Sequence, residues 1–150
     1  LARLQQAGYA LVVVTNQSGI ARGLYTMADL DTLNAHIESE LRRHGVALTG
    51  IYACPHHPQA VRAAYRLDCA CRKPKPGLIL QAAREHSLAL EASCLFGDRA
   101  RDIDAGRAAG VARCWLIGDA ADAASRAADG AAASLADAVQ RVCAARSSAP

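Results

Sequence analysis

The six cysteines of this 150-residue chain are unevenly placed. Cys94, Cys114 and Cys143 stand singly in apolar or helix-like segments, whereas Cys54, Cys69 and Cys71 gather with His56 and His57 in one short polar stretch. Isolated thiols of the first kind read as small buried hydrophobes. The second group can bind a metal. Cys54-x-His56 and, twelve residues later, Cys69-x-Cys71 offer three thiolates and one imidazole. That is the donor set of a closed tetrahedral zinc site with no position left for a catalytic water. Such a zinc is structural. It staples a loop, residues 54–73, that buries too little apolar surface to hold itself, and its binding free energy becomes folding free energy. His57 is the alternative imidazole; His56 is favoured because it gives both ligand pairs the same one-residue gap. Cysteines used this way imply a reducing, cytoplasmic compartment rather than a disulfide framework.

A second set of polar residues recurs at three strand or loop ends: Thr15-Asn16-Gln17-Ser18-Gly19, then Arg72-Lys73-Pro74-Lys75-Pro76-Gly77, then Gly97-Asp98 with Asp102 and Asp104 beyond it. A hydroxyl with backbone amides behind it, a lysine and a carboxylate, each after a strand, are what a phosphoryl group and its Mg²⁺ require. Taken singly, Thr15 is a strand terminator, Lys73 a solvated charge and Asp98 a helix cap. Their order and common location favour the chemical reading.

The elements that position these groups follow from the apolar pattern. LARLQQAG reads as the end of a helix, with Leu1 and Leu4 on one face and Gly8 as its stop. Tyr9 to Val14, Leu48 to Ala53, Ser93 to Phe96 and Val111 to Ile117 are short apolar runs without alternation, as in parallel strands covered on both faces. Thr26 and Asp29 form a capping box for a helix whose Leu30, Leu33, Ile37 and Leu41 make one apolar stripe, ending at Gly45. Pro76 starts a helix over Leu78 to His86, and Ala100 to Ala109 forms another, closed by Gly110. An irregular connection after Gly118 leads to a last helix from Ser134 to Ala145. Alternating strands and helices predict an α/β fold, a doubly wound, Rossmann-like parallel sheet with the zinc-stapled loop attached, and ligands at the carboxyl ends of its strands.

Composition excludes several classes. With 52% hydrophobic and 21% charged residues, the chain is that of an ordinary globular domain. A net charge of +3 from scattered basic residues and only 4% aromatics argue against nucleic-acid binding. No apolar run is long enough to cross a bilayer. No long apolar stripe calls for a partner subunit, so a monomer is expected.

The segments VVVTNQSGIARG, CPHHP, CACRKPKPGLI and LFGDRARDIDAG resemble the haloacid dehalogenase superfamily of phosphatases. Within it they are similar to the zinc-containing D-glycero-D-manno-heptose-1,7-bisphosphate 7-phosphatases and histidinol-phosphate phosphatases. The resemblance covers nearly all of residues 1–117. It implies that Thr15 and Lys73 hold the transferring phosphoryl group and that Asp98 binds Mg²⁺ with the Arg99 backbone. It further implies that Asn16, Gln17, Ser18 and Arg72 contact the substrate, a small phosphorylated sugar. The twelve-residue loop from His57 to Asp68 favours the heptose enzymes, which serve lipopolysaccharide precursor synthesis, over the shorter-looped histidinol-phosphate enzymes. Arg72 beside Lys73 suits a second phosphate.

In this superfamily an Asp-x-Asp motif after the first strand supplies the nucleophile and the general acid/base. Only fourteen residues precede Thr15 and none is acidic, while a βαβ unit takes about thirty or more. The expectation is therefore a single domain over residues 1–150 that is amino-terminally incomplete, with the first strand and its nucleophile upstream of Leu1. If the natural chain started at Leu1, a non-catalytic, zinc-stapled binding domain would be the alternative.

Overall fold

The computed structural model describes residues 1–118 and 127–147, the side chains of 146 and 147 excepted. The elements in order are α1 (Ala2–Gln6), β1 (Val12–Asn16), α2 (Ser18–Ala21), α3 (Met27–Arg43), β2 (Gly50–Cys54), α4 (Gly77–His86), β3 (Cys94–Gly97), α5 (Ala100–Ala109), β4 (Arg113–Ile117), β5 (Gly130–Ala132) and α6 (Leu135–Ser147). Single turns of 3₁₀ helix cover Ala63–Tyr65 and Leu90–Ala92.

Every strand pairing is parallel, as the unbroken apolar runs predict. The ladders form two sheets rather than one: β1 beside β2, and β3-β4-β5. Helices cover both faces. On one side Ile79 of α4, Ile103 and Ala105 of α5, and Cys114 and Leu116 of β4 form a buried cluster. On the other, Leu4 of α1 and Val139 and Val142 of α6 close over Phe96 and Trp115. Alternation along β4 assigns Cys114 and Leu116 to the first core and Trp115 to the second.

Three expectations are corrected in detail. The β1 ladder starts at Val12 and extends past Val14 to Asn16, because Thr15 and Asn16 pair with Ala53 and Cys54 of β2. β5 was not expected: Gly130-Ala131-Ala132 has no β-branched residue and forms by pairing with Trp115, Leu116 and Ile117. The stripe on α3 is only partly used, since Leu30 is 2% exposed while Leu33 is 51% and Ile37 38% exposed. Local terms carry that helix: a capping box between Thr26 and Asp29, and the Arg42–Glu38 and Arg43–Glu40 pairs. The irregular connection expected after Gly118 falls on residues 119–126, outside the described residues.

Candidate active site and metal centre

Cys54, the last residue of β2, is buried, and its thiol meets those of Cys69 and Cys71 at 3.4 and 3.1 Å; Cys69 and Cys71 are 3.0 Å apart. His56 Nδ1 lies 3.8 Å from the Cys54 sulfur and 3.6 Å from that of Cys71. All four donor atoms fall within 4.8 Å of one another. His57 is engaged elsewhere, its Nδ1 accepting from the Gln59 backbone N–H at 3.1 Å. The choice between the two imidazoles therefore falls on His56. Burial pushes the Cys54 and Cys71 thiols above the ordinary range, and hydrogen bonds to Cys69 and Cys54 push Cys71 further. Burial opposes ionisation of Cys69 too, but hydrogen bonds from Cys71 and Cys54 and from backbone amides take it below the ordinary value. Three thiols in such contact cannot all ionise unless a cation sits among them, and three sulfurs with one imidazole nitrogen fit a tetrahedral metal ion.

The knuckle leads directly into the second site. Arg72 donates through Nη1 to the His56 carbonyl at 3.0 Å. Lys73 is clamped at its backbone by Asn16, whose Oδ1 accepts from Lys73 N and whose Nδ2 donates to Lys73 O, both at 3.1 Å. The Lys73 side chain is 12% exposed, and its ammonium donates to the Val14 carbonyl at 2.8 Å and pairs with Asp102 at 2.8 Å. One of its three N–H groups is left for a ligand. Thr15 accepts a hydrogen bond from Gln17 Nε2 at 3.2 Å, and Gln17 Oε1 accepts from the Tyr25 hydroxyl. Ser18 opens α2 half-buried.

Asp98 follows β3 with a carboxylate 72% exposed, 3.5 Å from Arg99 Nε. An open carboxylate beside a phosphoryl pocket suits Mg²⁺, which takes one or two carboxylates and completes its shell with water and phosphate oxygens. The Arg99 carbonyl accepts from Asp102 N at 2.9 Å, capping α5. Asp102, to which the sequence assigned no role, is drawn into the site. It is 6% exposed, holds Lys73 through one oxygen and accepts from Arg99 N through the other at 3.1 Å. A Cβ on Gly97 would lie 2.3 Å from the Asp102 Cβ, so glycine at that position admits the carboxylate. Asp104 is exposed, apart from these contacts. The available signal for Asp102 was its place four residues after Asp98, in the first turn of α5, where a carboxylate can reach back to the Arg99 amide.

Thr15, Lys73, Asp98 and Asp102 line one end of a cavity of about 630 Å³. Its walls are consecutive residues of β1, Val12 to Thr15, and of β3, Cys94 to Gly97, so two strand edges rather than two faces bound it. It separates the two sheets. Among the described residues, β1 pairs only with β2 and β3 only with β4.

A parallel α/β domain that gathers a hydroxyl, a partly free ammonium and an open carboxylate at its strand ends has the donor set of a candidate phosphoryl-binding site, beside a Cys/His cluster that could hold a metal. Residues 70–140 match the family described as HAD-hydrolase-like. A D-glycero-alpha-D-manno-heptose-1,7-bisphosphate 7-phosphatase of Photorhabdus laumondii is 39% identical over 117 residues, covering 78% of this chain and 64% of the relative. The D-glycero-beta-D-manno-heptose-1,7-bisphosphate 7-phosphatase of Escherichia coli K12 is 46% identical over 114 residues, 76% of this chain and 60% of the relative. The crystal structure of a D,D-heptose 1,7-bisphosphate phosphatase from B. bronchiseptica, complexed with magnesium and phosphate, superposes with a TM-score of 0.80 at 32% identity, covering 94% of this chain and 78% of that one. The chain belongs to the HAD-like hydrolases, among the relatives of heptose-bisphosphate phosphatases. It spans between 60% and 64% of the length of these curated relatives.

Proposed function

We propose that this chain is the phosphoryl-binding body of a Mg²⁺-dependent phosphatase, a phosphoric monoester hydrolase that removes the 7-phosphate of D-glycero-D-manno-heptose 1,7-bisphosphate. The setting is the cytoplasm, in synthesis of the ADP-heptose precursor of the lipopolysaccharide core, and the protein works as a monomer on a small sugar phosphate. Among the described residues, no helix is long and apolar enough to cross a membrane. The observation that carries the reading is the convergence of Thr15, Lys73 and Asp98 on one end of the cavity, next to a knuckle that holds Arg72.

The chain's own groups account for binding and charge stabilisation. The Thr15 hydroxyl and the remaining Lys73 N–H donate to phosphoryl oxygens, in a pocket where Asp102 and Asn16 already fix the lysine. Asn16, Gln17, Ser18 and Arg72 border the substrate, and the guanidinium N–H groups that Arg72 does not use on His56 are suited to a second phosphate. Asp98, beside the Arg99 backbone, would hold Mg²⁺, which supplies charge neutralisation at the phosphoryl oxygens. Cys54, His56, Cys69 and Cys71 would hold zinc, which supplies cross-linking of the 54–73 loop within this single domain.

The nucleophile is assigned to an Asp upstream of Leu1, on a strand placed in the cavity between β1 and β3. A parallel strand there would lie about 4.8 Å from each neighbour, and among the described residues neither β1 nor β3 has a strand partner on that side. Its carboxyl end would then emerge beside Thr15 and Asp98. Attack of that carboxylate in line on phosphorus breaks the P–O bond to the sugar, and a second Asp protonates the leaving oxygen. Water then hydrolyses the aspartyl phosphate. Phosphate release from the heptose bisphosphate and from histidinol phosphate by the complete protein tests this. The sugar bisphosphate is expected to react faster; preference for histidinol phosphate would overturn the substrate assignment.

A further inference from the structure

Tyr25 lies outside every motif, in the turn between α2 and α3, yet through Gln17 it is hydrogen-bonded to Thr15, which lines the cavity. Its hydroxyl donates to Gln17 Oε1 at 2.5 Å, and Gln17 Nε2 donates to Thr15 Oγ1 at 3.2 Å. The chain makes room for this ring. A Cβ on Gly19 would lie 2.1 Å from Tyr25 Cε1 and 2.7 Å from its hydroxyl oxygen, and Leu24 N bonds the Gly19 carbonyl at 2.9 Å to close the turn beneath it.

The polarity of this relay matters. Gln17 can face Thr15 with either end of its amide. Facing it with Nε2, the amide donates to Thr15 and leaves the threonine hydrogen to a ligand. Facing it with Oε1, it would accept that hydrogen and compete with the ligand. In the first arrangement Gln17 Oε1 needs a donor of its own, and Tyr25 is that donor. Among the described residues, the Thr15 hydroxyl hydrogen has no acceptor within the protein. All three donors therefore point one way, from Tyr25 through Gln17 to Thr15 and out into the cavity, the orientation that suits an acceptor-only anion.

We propose that Tyr25 is a positioning residue for anion binding, holding Gln17 in the orientation that frees the Thr15 hydroxyl to donate to a phosphoryl oxygen. This rests on the reading of Thr15 as a phosphoryl ligand. It predicts a dependence on a single oxygen atom, because Tyr25→Phe retains the ring packed on Gly19 and removes only the donor.

The test is calorimetric titration of inorganic phosphate into the metal-loaded full chain, comparing the unmodified protein, Tyr25→Phe, Gln17→Leu and the double variant. The net worth of one hydrogen bond predicts about threefold to tenfold weaker phosphate binding in Tyr25→Phe. In the Gln17→Leu background the tyrosine change should have no further effect, because the bridge to Thr15 is gone. A merely structural tyrosine would cost the same factor in both backgrounds, and that result overturns the proposal. So does Tyr25→Phe binding phosphate as tightly as the unmodified protein. Failure of the unmodified protein to bind phosphate would instead remove the phosphoryl reading beneath it.

Discussion

The candidate metal knuckle and the proposed phosphoryl rim meet at Cys71-Arg72-Lys73, yet they are assembled by different means. The knuckle draws all four donors from residues 54–71 and needs from the sheet only the end of β2, where Cys54 sits. The rim takes Thr15 from β1, Lys73 from the loop before α4, and Asp98 and Asp102 from the β3–α5 junction. Local clustering lets a bound ion hold the first. The second depends on packing and on a buried ion pair, so it is built only when both sheets are in place. Substitutions in the two regions should consequently differ in kind, one set measured in metal content and the other in charge burial.

The largest effect is expected at the knuckle. Apparent zinc binding in small structural sites is worth about 10–16 kcal/mol, and in such sites it is folding free energy. Cys71→Ser or Cys69→Ser should therefore lose the metal and lower Tm more than any rim substitution. Zinc stoichiometry by mass spectrometry, read beside thermal unfolding, decides it. Full metal content in either variant would remove the assignment of these thiols as ligands.

Next comes Asp102→Ala, which strands the Lys73 ammonium in a nearly buried position. Breaking one partner of a buried pair costs about 3–5 kcal/mol. Denaturant unfolding should show a loss of that order with zinc content unchanged, a combination the knuckle variants cannot give. A loss well below 1 kcal/mol, the range of exposed pairs, would mean that solvent reaches the lysine and that the rim is not packed as described. Asn16→Ala removes both hydrogen bonds to the Lys73 backbone and should cost about 1–3 kcal/mol. It also tests whether the clamp contributes to phosphate binding: calorimetric titration of phosphate should show weakened affinity, whereas unchanged affinity would confine Asn16 to stability.

The same division explains what the residues revealed before any coordinates. The clustering of Cys54, His56, Cys69 and Cys71 was legible because their short, regular spacing on rare residue types brings their donor atoms within 4.8 Å of one another. The extent of α5 was equally legible, since Gly110 closes the helical segment Ala100–Ala109, although the N-cap is Arg99 rather than Asp98. The partners of rim residues were not. Nothing in local sequence says that the Asn16 amide reaches fifty-seven residues along the chain to Lys73, or that Asp102 rather than Asp104 faces inward. Those facts follow from the close approach of α5 to β3 over Gly97 and from the parallel register of β1 and β2. β5 and the exposed half of the α3 stripe failed for the complementary reason: pairing made a strand from Gly-Ala-Ala, and a capping box with one i,i+4 and one i,i+3 pair held a helix without full burial.

The smallest effect separates the knuckle from a third device, the latch between α5 and the start of β5. Asp129 pairs with Arg107 at 2.6 Å and accepts from the Cys114 backbone N–H at 2.6 Å. The Arg107 side chain, with the Cys114 amide behind it, holds the Asp129 carboxyl below the usual carboxylate range. A depressed folded-state value means that this contribution is present at neutral pH and is lost as pH falls through that value. Acid also protonates metal-binding thiolates, so the unmodified protein loses stability on the acid side for two reasons at once. Asp129→Asn removes the latch's share alone. The variant should be modestly less stable near pH 7; the gap should begin to close as pH falls through about 3.9, the unfolded-state carboxylate value, and vanish only below the lower folded-state value. Unfolding measured across that window, with zinc content followed in parallel, divides the acid sensitivity between latch and knuckle. A gap between the two proteins that persists unchanged at low pH would show that Asp129 acts through shape or neutral hydrogen bonding rather than through its charge.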